Sequence, residues 1–212
     1  MGTGSALHII SEPEAGAIYA LDAMDPHNIQ IGDTFVLCDA GGGTVDLISY
    51  TVSALKPYLQ IAEANPGSGL LCGSSFLNRI FQRHIESKLS GEPGWDEDVL
   101  EEAMKRFEAV VKRQFRGTTG EEFLIPVPGL GDNAHLGIRR GRFRVSGDDV
   151  KAIFEPVVSE VTNLVLAQIK DSKKSIKAVL MVGGFGQSAY LRDRIRQAVG
   201  NIGVEVMQSP NG

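Results

Sequence analysis

The residues best suited to chemistry lie in one octet, Asp39-Ala40-Gly41-Gly42-Gly43-Thr44-Val45-Asp46. Three consecutive glycines behind a β-branched, aliphatic run let backbone N–H groups approach an anion with no side chain in the way. Thr44 adds a hydroxyl at the tip. Asp39 and Asp46 stand at the two rims, where carboxylates can hold a hydrated Mg²⁺, an ion that prefers to keep several of its waters. A glycine-rich turn alone is cheap, but an acid, three glycines, a threonine and a second acid in sequence point to phosphate binding. A second element, Val182-Gly183-Gly184-Phe185-Gly186-Gln187-Ser188, has the form strand, glycines, helix. There the unpaired amides and dipole of a helix N-terminus can face an anion. It is not Gly-x-Gly-x-x-Gly and no acid follows at ribose spacing, which argues against a dinucleotide fold.

Both loops need strands to hold them. Thr34 to Cys38 reads as a buried strand, and Val45–Leu55 and Tyr58–Glu63 as two more. Ser11-Glu12-Pro13 opens a helix that the Asp25-Pro26 step stops. From Gly73 the period becomes helical. Phe76, Ile80, His84 and Leu89 predict one helix, and Val99, Ala103, Phe107, Val110 and Val111 a second starting near Trp95. Short strands are expected near Phe123–Val127 and Phe143. Ser146 with Asp149 is a near capping box for a long amphipathic helix that Pro156 should kink or split. Ile176–Val182 is a buried strand, Ser188–Val199 a helix and Val204–Met207 a last strand. An α/β unit thus begins near residue 34 and resumes near 145, around a mostly helical insertion.

With 42% hydrophobic and 22% charged residues the chain has the composition of a globular domain. Its net charge of −5 offers no basic surface for nucleic acid or anionic lipid. No uninterrupted apolar run approaches the roughly 20 residues of a membrane span, and the first residues lack a basic, then apolar, leader. Cys38 and Cys72 sit in apolar contexts and read as buried free thiols of a reducing compartment; the expected location is cytoplasmic. His8, His27, His84 and His135 lack metal-ligand spacing. Glu97, Asp98, Glu101 and Glu102 read as a solvated helix start.

Four segments, in order, resemble the heat shock protein 70 nucleotide-binding domain, a member of the actin-like ATPase superfamily. Ile9-Ile10-Ser11-Glu12-Pro13-Glu14-Ala15 is similar to the family's Asn-Glu-Pro-Thr-Ala entry to the helix crossing between lobes. Asp39–Asp46 is similar to its second phosphate loop, Leu71-Cys72-Gly73-Ser74-Ser75-Phe76-Leu77-Asn78-Arg79 to its Leu-Gly-Gly-Glu-Asp-Phe-Asp-Asn-Arg segment, and Leu180-Met181-Val182-Gly183-Gly184 to its adenosine motif. The divergent fungal-type branch looks nearest. The resemblance implies an α/β, ribonuclease H-like second lobe with an inserted helical and α+β subdomain. Residues 1–33 would be the crossing helix and remnant of a first lobe, 34–66 with 145–212 the core subdomain, and 67–144 the insertion.

The same resemblance implies ATP or ADP and Mg²⁺ as ligands. Glu12 and Asp39 would order the metal through water, Thr44 would face the γ-phosphate and Asp46 would stand behind it. Gly41, Gly42, Gly43 and Gly73 would lie along the phosphates, with Gly183 and Gly184 under the ribose and α-phosphate. Glu108, Lys112 and Arg113 fall near the family's Glu-x-x-Lys-Arg, one residue out of register; the three also fit a solvated helix face. Phe185-Gly186-Gln187 replaces Ser-Thr-Arg, so the arginine that packs on adenine is missing and Phe185 is left to stack. Asn211 stands where an Asp is usual. The Asp-x-Gly-Thr-Thr loop and the lysine after it have no counterpart, so the expectation is a nucleotide-binding module with impaired hydrolysis. Its partners would be nucleotide and a separate first lobe or co-chaperone. A non-catalytic pseudo-ATPase and a sugar kinase of the same superfamily are the alternatives. The Glu-Pro helix entry and the Asn-Arg pair weigh against the last.

Overall fold

Seven residues from Thr34 to Ala40 form β1, and all but Asp39 are buried. A strand buried on both faces belongs in the middle of a sheet covered on both sides. The computed structural model, which describes residues 12–23 and 29–208, places it there. A five-stranded mixed sheet has the order β3-β2-β1-β7-β8. Strands β1, β2 (Val45–Ala54) and β3 (Gln60–Leu70) form an antiparallel meander. Strand β7 (Ile176–Val182) lies parallel to β1, and β8 (Glu205–Gln208) parallel to β7.

Helix α1 (Glu12–Ala23) covers one face, burying Ala17, Ala20 and Leu21 with Phe35, Leu37, Tyr50, Val52, Ala178 and Leu180. On the other face α5 (Gly147–Asp171) and α6 (Ala189–Val199) share a core with Val36, Cys38, Leu47, Val179 and Met181. The α/β class expected from the sequence is the one observed, and it is compatible with an actin-like ATPase lobe.

Helix α5 runs unbroken through Pro156. Averaged along its length it is apolar enough to cross a membrane, although no run of uninterrupted apolar residues produces that average. Its stripe Val150, Ile153, Phe154, Val157, Val158, Val161 and Val165 is buried in the core. The polar end of the stripe, Gln168, donates to Ser49 Oγ (3.0 Å) and to the Pro66 carbonyl (3.2 Å) and accepts from Ser68 Oγ (2.9 Å). A buried amide is stable only when paired in this way. The near capping box is complete: the Asp149 N–H donates to Ser146 Oγ at 3.1 Å, and the Ser146 N–H to the Asp149 carboxylate at 3.2 Å. Ser146→Ala should therefore lower stability by about 1 kcal/mol, read as an earlier urea midpoint with unchanged slope.

Between β3 and α5 come α2 (Ser75–Leu89), α3 (Glu97–Arg106), a π turn (Phe107–Val111), the short α4 (Lys112–Gln114), and a small antiparallel sheet of order β4-β6-β5. The strands of that sheet are β4 (Glu122–Pro126), β5 (Ile138–Arg139) and β6 (Arg142–Ser146). Two expectations need correction. The buried stripe of α2 is Leu77, Phe81, Ile85 and Leu89, one position on from the predicted Phe76, Ile80 and His84. The neighbouring element decides the phase: Phe81 stacks flat on Phe107, with centroids 4.0 Å apart and planes 6° from parallel. Strand β3 begins two residues after the predicted start and continues to Leu70, seven residues beyond Glu63, through Pro66, Gly67 and Gly69. It is an edge strand, where proline's missing donor costs nothing. A Cβ on Gly69 would lie 2.4 Å from Asp46 Oδ1, so a side chain here would have to displace the Asp46 carboxylate.

Candidate functional site

The hairpin between β1 and β2 is held from behind. Asp39 pairs with Asp46 and Ala40 with Val45, and the Gly41 N–H donates to the Thr44 carbonyl (2.9 Å). The carbonyls of Gly43, Gly41 and Gly42 accept from the N–H groups of Gly73 (3.2 Å), Ser74 (3.1 Å) and Ser75 (2.8 Å). The first amide of α2 and the two before it are thus spent on the turn. The amides of Gly42, Gly43 and Thr44 meet no protein acceptor among the described residues. A Cβ on Gly42 or Gly43 would find no atom within 4 Å, so the front of the turn is open. Gly73 packs beneath it, and a Cβ there would stand 2.5 Å from the Gly42 backbone.

Strand β7 ends in the second turn, directly beside the first. The N–H groups of Phe185 and Gly186 both donate to the Ala40 carbonyl, at 2.9 and 3.1 Å. One acceptor at the end of β1 therefore ties the two glycine turns together. Gly183 has φ +81°, and a Cβ on it would lie 2.5 Å from Ala40 O and 2.6 Å from Asp39 Oδ1. Glycine's freedom at positive φ is what lets the second turn close against the half-buried Asp39 carboxylate. Ser188 then caps α6, accepting from the Leu191 N–H at 3.3 Å. Both turns lie at the carboxyl ends of parallel neighbours, the place where open α/β sheets bind ligands.

A cavity of about 650 Å³ adjoins the second turn, and Ser74, whose N–H donates to the Gly41 carbonyl, links its wall to the first. Its walls include Ser74, Glu108, Lys112, Arg113, Gly184 and Phe185, so five residues singled out in the sequence meet in one hollow. The π turn over Phe107–Val111 contains Glu108 and ends just before Lys112. The Lys112 N–H reaches back to the Phe107 carbonyl, a five-residue span that absorbs one extra residue within the helix. Burial pushes the Lys112 ammonium below its usual range, against the upward pull of the Glu108 carboxylate.

Sequence reasoning did not select Asn78, which accepts from Lys112 Nζ at 3.0 Å and donates to the Glu108 carboxylate. Its signal in the sequence was its place in the Leu71–Arg79 segment, which carried a family resemblance but no assigned ligand role. Gln187 and Ser188, named in the sequence only as the end of the second glycine element, line the cavity as well.

Phe185 requires a correction. With 4% of its surface exposed, its ring is part of the core and has no face free to stack on a base. The Glu12 side chain and Asn211 lie outside the described residues. Among the described residues no group of three or more His, Cys, Asp or Glu could hold a metal directly. The opposed Asp39 and Asp46, with Asp46 and Thr44 exposed, fit an Mg²⁺ ion that keeps its waters. Both thiols are free and buried. Burial pushes Cys38 up to about 12 and Cys72 to about 11, so at neutral pH both stay protonated and unreactive.

No family model matches the chain. It is 25% identical over 205 residues to human heat shock 70 kDa protein 12B, an alignment covering 84% of this chain and 29% of that protein. The chain thus spans less than a third of the length of the relative it matches. This distant similarity, together with the five-stranded mixed sheet, supports a relationship to the heat shock protein 70 family and the actin-like ATPases.

Proposed function

We propose that this chain is an ATP/ADP-binding module of a heat shock protein 70-like chaperone ATPase. One observation carries the reading: the glycine turns after β1 and β7 are tied through the Ala40 carbonyl, and the second of them lines a cavity. Phosphates would lie against the free amides of Gly42, Gly43 and Thr44, where backbone N–H groups form an anion-binding nest. Asp39, with Glu12, would hold Mg²⁺ through its waters, and Asp46 would stand across the hairpin. Bound there, the metal would neutralise phosphate charge. The nucleoside would occupy the cavity between Gly184 and the Glu108, Lys112 and Arg113 group. In this reading residues 34–66 and 145–212 are the core unit, 67–144 is the insertion, and the two protonated thiols suit a reducing cytoplasm.

Phosphoryl transfer is mostly positioning and charge stabilisation around the phosphates. The 212-residue polypeptide contains no Asp-x-Gly-Thr-Thr loop, so its contacts approach the phosphates from one side only. We expect hydrolysis by this polypeptide to stay at background and to rise when a segment carrying that loop is supplied. Calorimetry with Mg-ADP should give binding near the millimolar end, about −4 kcal/mol, and not the roughly −8 kcal/mol of micromolar binding. Low-micromolar affinity would overturn the one-sided account. No heat at several times millimolar ADP, about the weakest affinity this reading allows, would overturn nucleotide binding itself.

A further inference from the structure

We propose that the outer face of the β4-β6-β5 sheet docks an acidic, partly apolar peptide segment of a partner protein. In a chain of net charge −5, four arginines fall within the six residues Arg139–Arg144. The alternation of β6 turns Phe143 and Val145 inward and leaves Arg142 and Arg144 exposed. Cross-strand pairing sets Arg139 opposite Arg142 and Leu124 opposite Arg144. Pairs directly opposite share a face, so three guanidinium side chains and Leu124, 44% exposed, stand together. Arg140 and Gly141 make the two-residue turn between β5 and β6, both at positive φ. Such a turn favours Asn or Gly in its first position, yet an arginine occupies it. The four arginines and Leu124, with Ala134 and Asp132, line a hollow of about 830 Å³.

The chain does little to neutralise this face. Glu122 reaches Arg144 at 3.3 Å, with both side chains more than half exposed. The Asp132 carboxylate accepts from the Arg140 backbone N–H at 2.6 Å. The hollow's four arginines thus face two carboxylates, Asp132 in the wall and Glu122 beside it, a surplus of two guanidinium groups. Like charges directly opposite on a sheet are destabilising, and no ion pair among the described residues offsets Arg139 against Arg142.

Guanidinium is the side chain that takes carboxylates in two-point contacts. Outward positions on a strand recur every ~7 Å, the spacing of alternate side chains in an extended peptide. Carboxylates could then meet the arginines while apolar side chains lie on Leu124. The net negative charge of the whole chain disfavours nucleic acid and anionic membrane, whose extended charge would feel all of it. The proposal does not rest on nucleotide binding.

The test uses a fluorescein-labelled peptide of alternating Glu and Leu, followed by anisotropy. Wild type should bind it, more weakly as salt rises. Arg139→Glu/Arg142→Glu should weaken binding at least about tenfold. Arg106→Glu/Lys170→Glu, an equal charge change at exposed sites elsewhere, should change it by no more than about twofold. Equal losses in both double variants, or none in the first, would overturn the proposal. So would tighter Arg139- and Arg142-dependent binding of an oligothymidylate or of phosphatidylserine vesicles. Self-association abolished by the same pair would assign the face to a second copy and overturn it as well. If the charge-reversed variant fails to fold, Arg139→Gln/Arg142→Gln carries the same comparison.

Discussion

Gly183→Ala should destabilise the chain by about 3 kcal/mol, whereas Gly184→Ala should change its stability by less than about 0.5 kcal/mol. At Gly183 the backbone has φ +81°, where a Cβ costs roughly 1–2 kcal/mol. The added carbon would also stand 2.5 Å from the Ala40 carbonyl oxygen and 2.6 Å from Asp39 Oδ1. The first of these is backbone at the end of a central strand and cannot swing aside, so overpacking adds about 1–3 kcal/mol. At Gly184 a Cβ finds no atom within 4 Å and φ lies outside the left-handed region. Urea denaturation of the two variants measures the difference. Equal midpoints would mean that the second turn is not closed against Asp39 in the way described.

Gly42→Val should remove all stabilisation by Mg-ADP without unfolding the protein. A ligand that binds only the native state at ten times its Kd adds about 1.4 kcal/mol. For a chain of this size that is a rise in Tm of about 3–6 °C. A Cβ on Gly42 has no neighbour within 4 Å, so the valine should project into the open front of the turn. There it would cover the amides of Gly42, Gly43 and Thr44 proposed to hold phosphate. Differential scanning of both proteins with and without Mg-ADP reads the effect. A variant that melts like wild type and still shifts with ADP would reduce the octet to a turn. A wild type that never shifts would remove the nucleotide reading.

The two experiments divide the site by cause. Gly183 holds the turns together, because its missing side chain is what lets β7 close on β1. Gly42 leaves them open, because its missing side chain is what lets a ligand approach. Glycines of similar appearance in the sequence thus do opposite jobs, and only the surrounding atoms tell them apart.

What the sequence determined by itself was whatever depends on near neighbours along the chain. Composition marked β1 and β7 as buried strands, and β7 has the predicted bounds, Ile176–Val182. Serine and aspartate three residues apart marked the start of α5. Glycine runs after those strands marked both turns. Other features depend on partners remote in sequence, which folding alone brings into contact. The phase of α2 waits on Phe107, and the passage of β3 through Pro66 waits on its place at the sheet edge. The junction of the turns waits on Ala40 O, shared with residues more than a hundred positions away. The π turn, which brings Lys112 to Asn78 and the cavity, has no periodicity of its own to announce it. Phe185 looked like a platform beside a nucleotide, but hydrophobic burial drew its ring into the core. Local patterns record what the backbone prefers over a few residues, whereas a site is made where distant segments pack, and packing is a property of the whole fold.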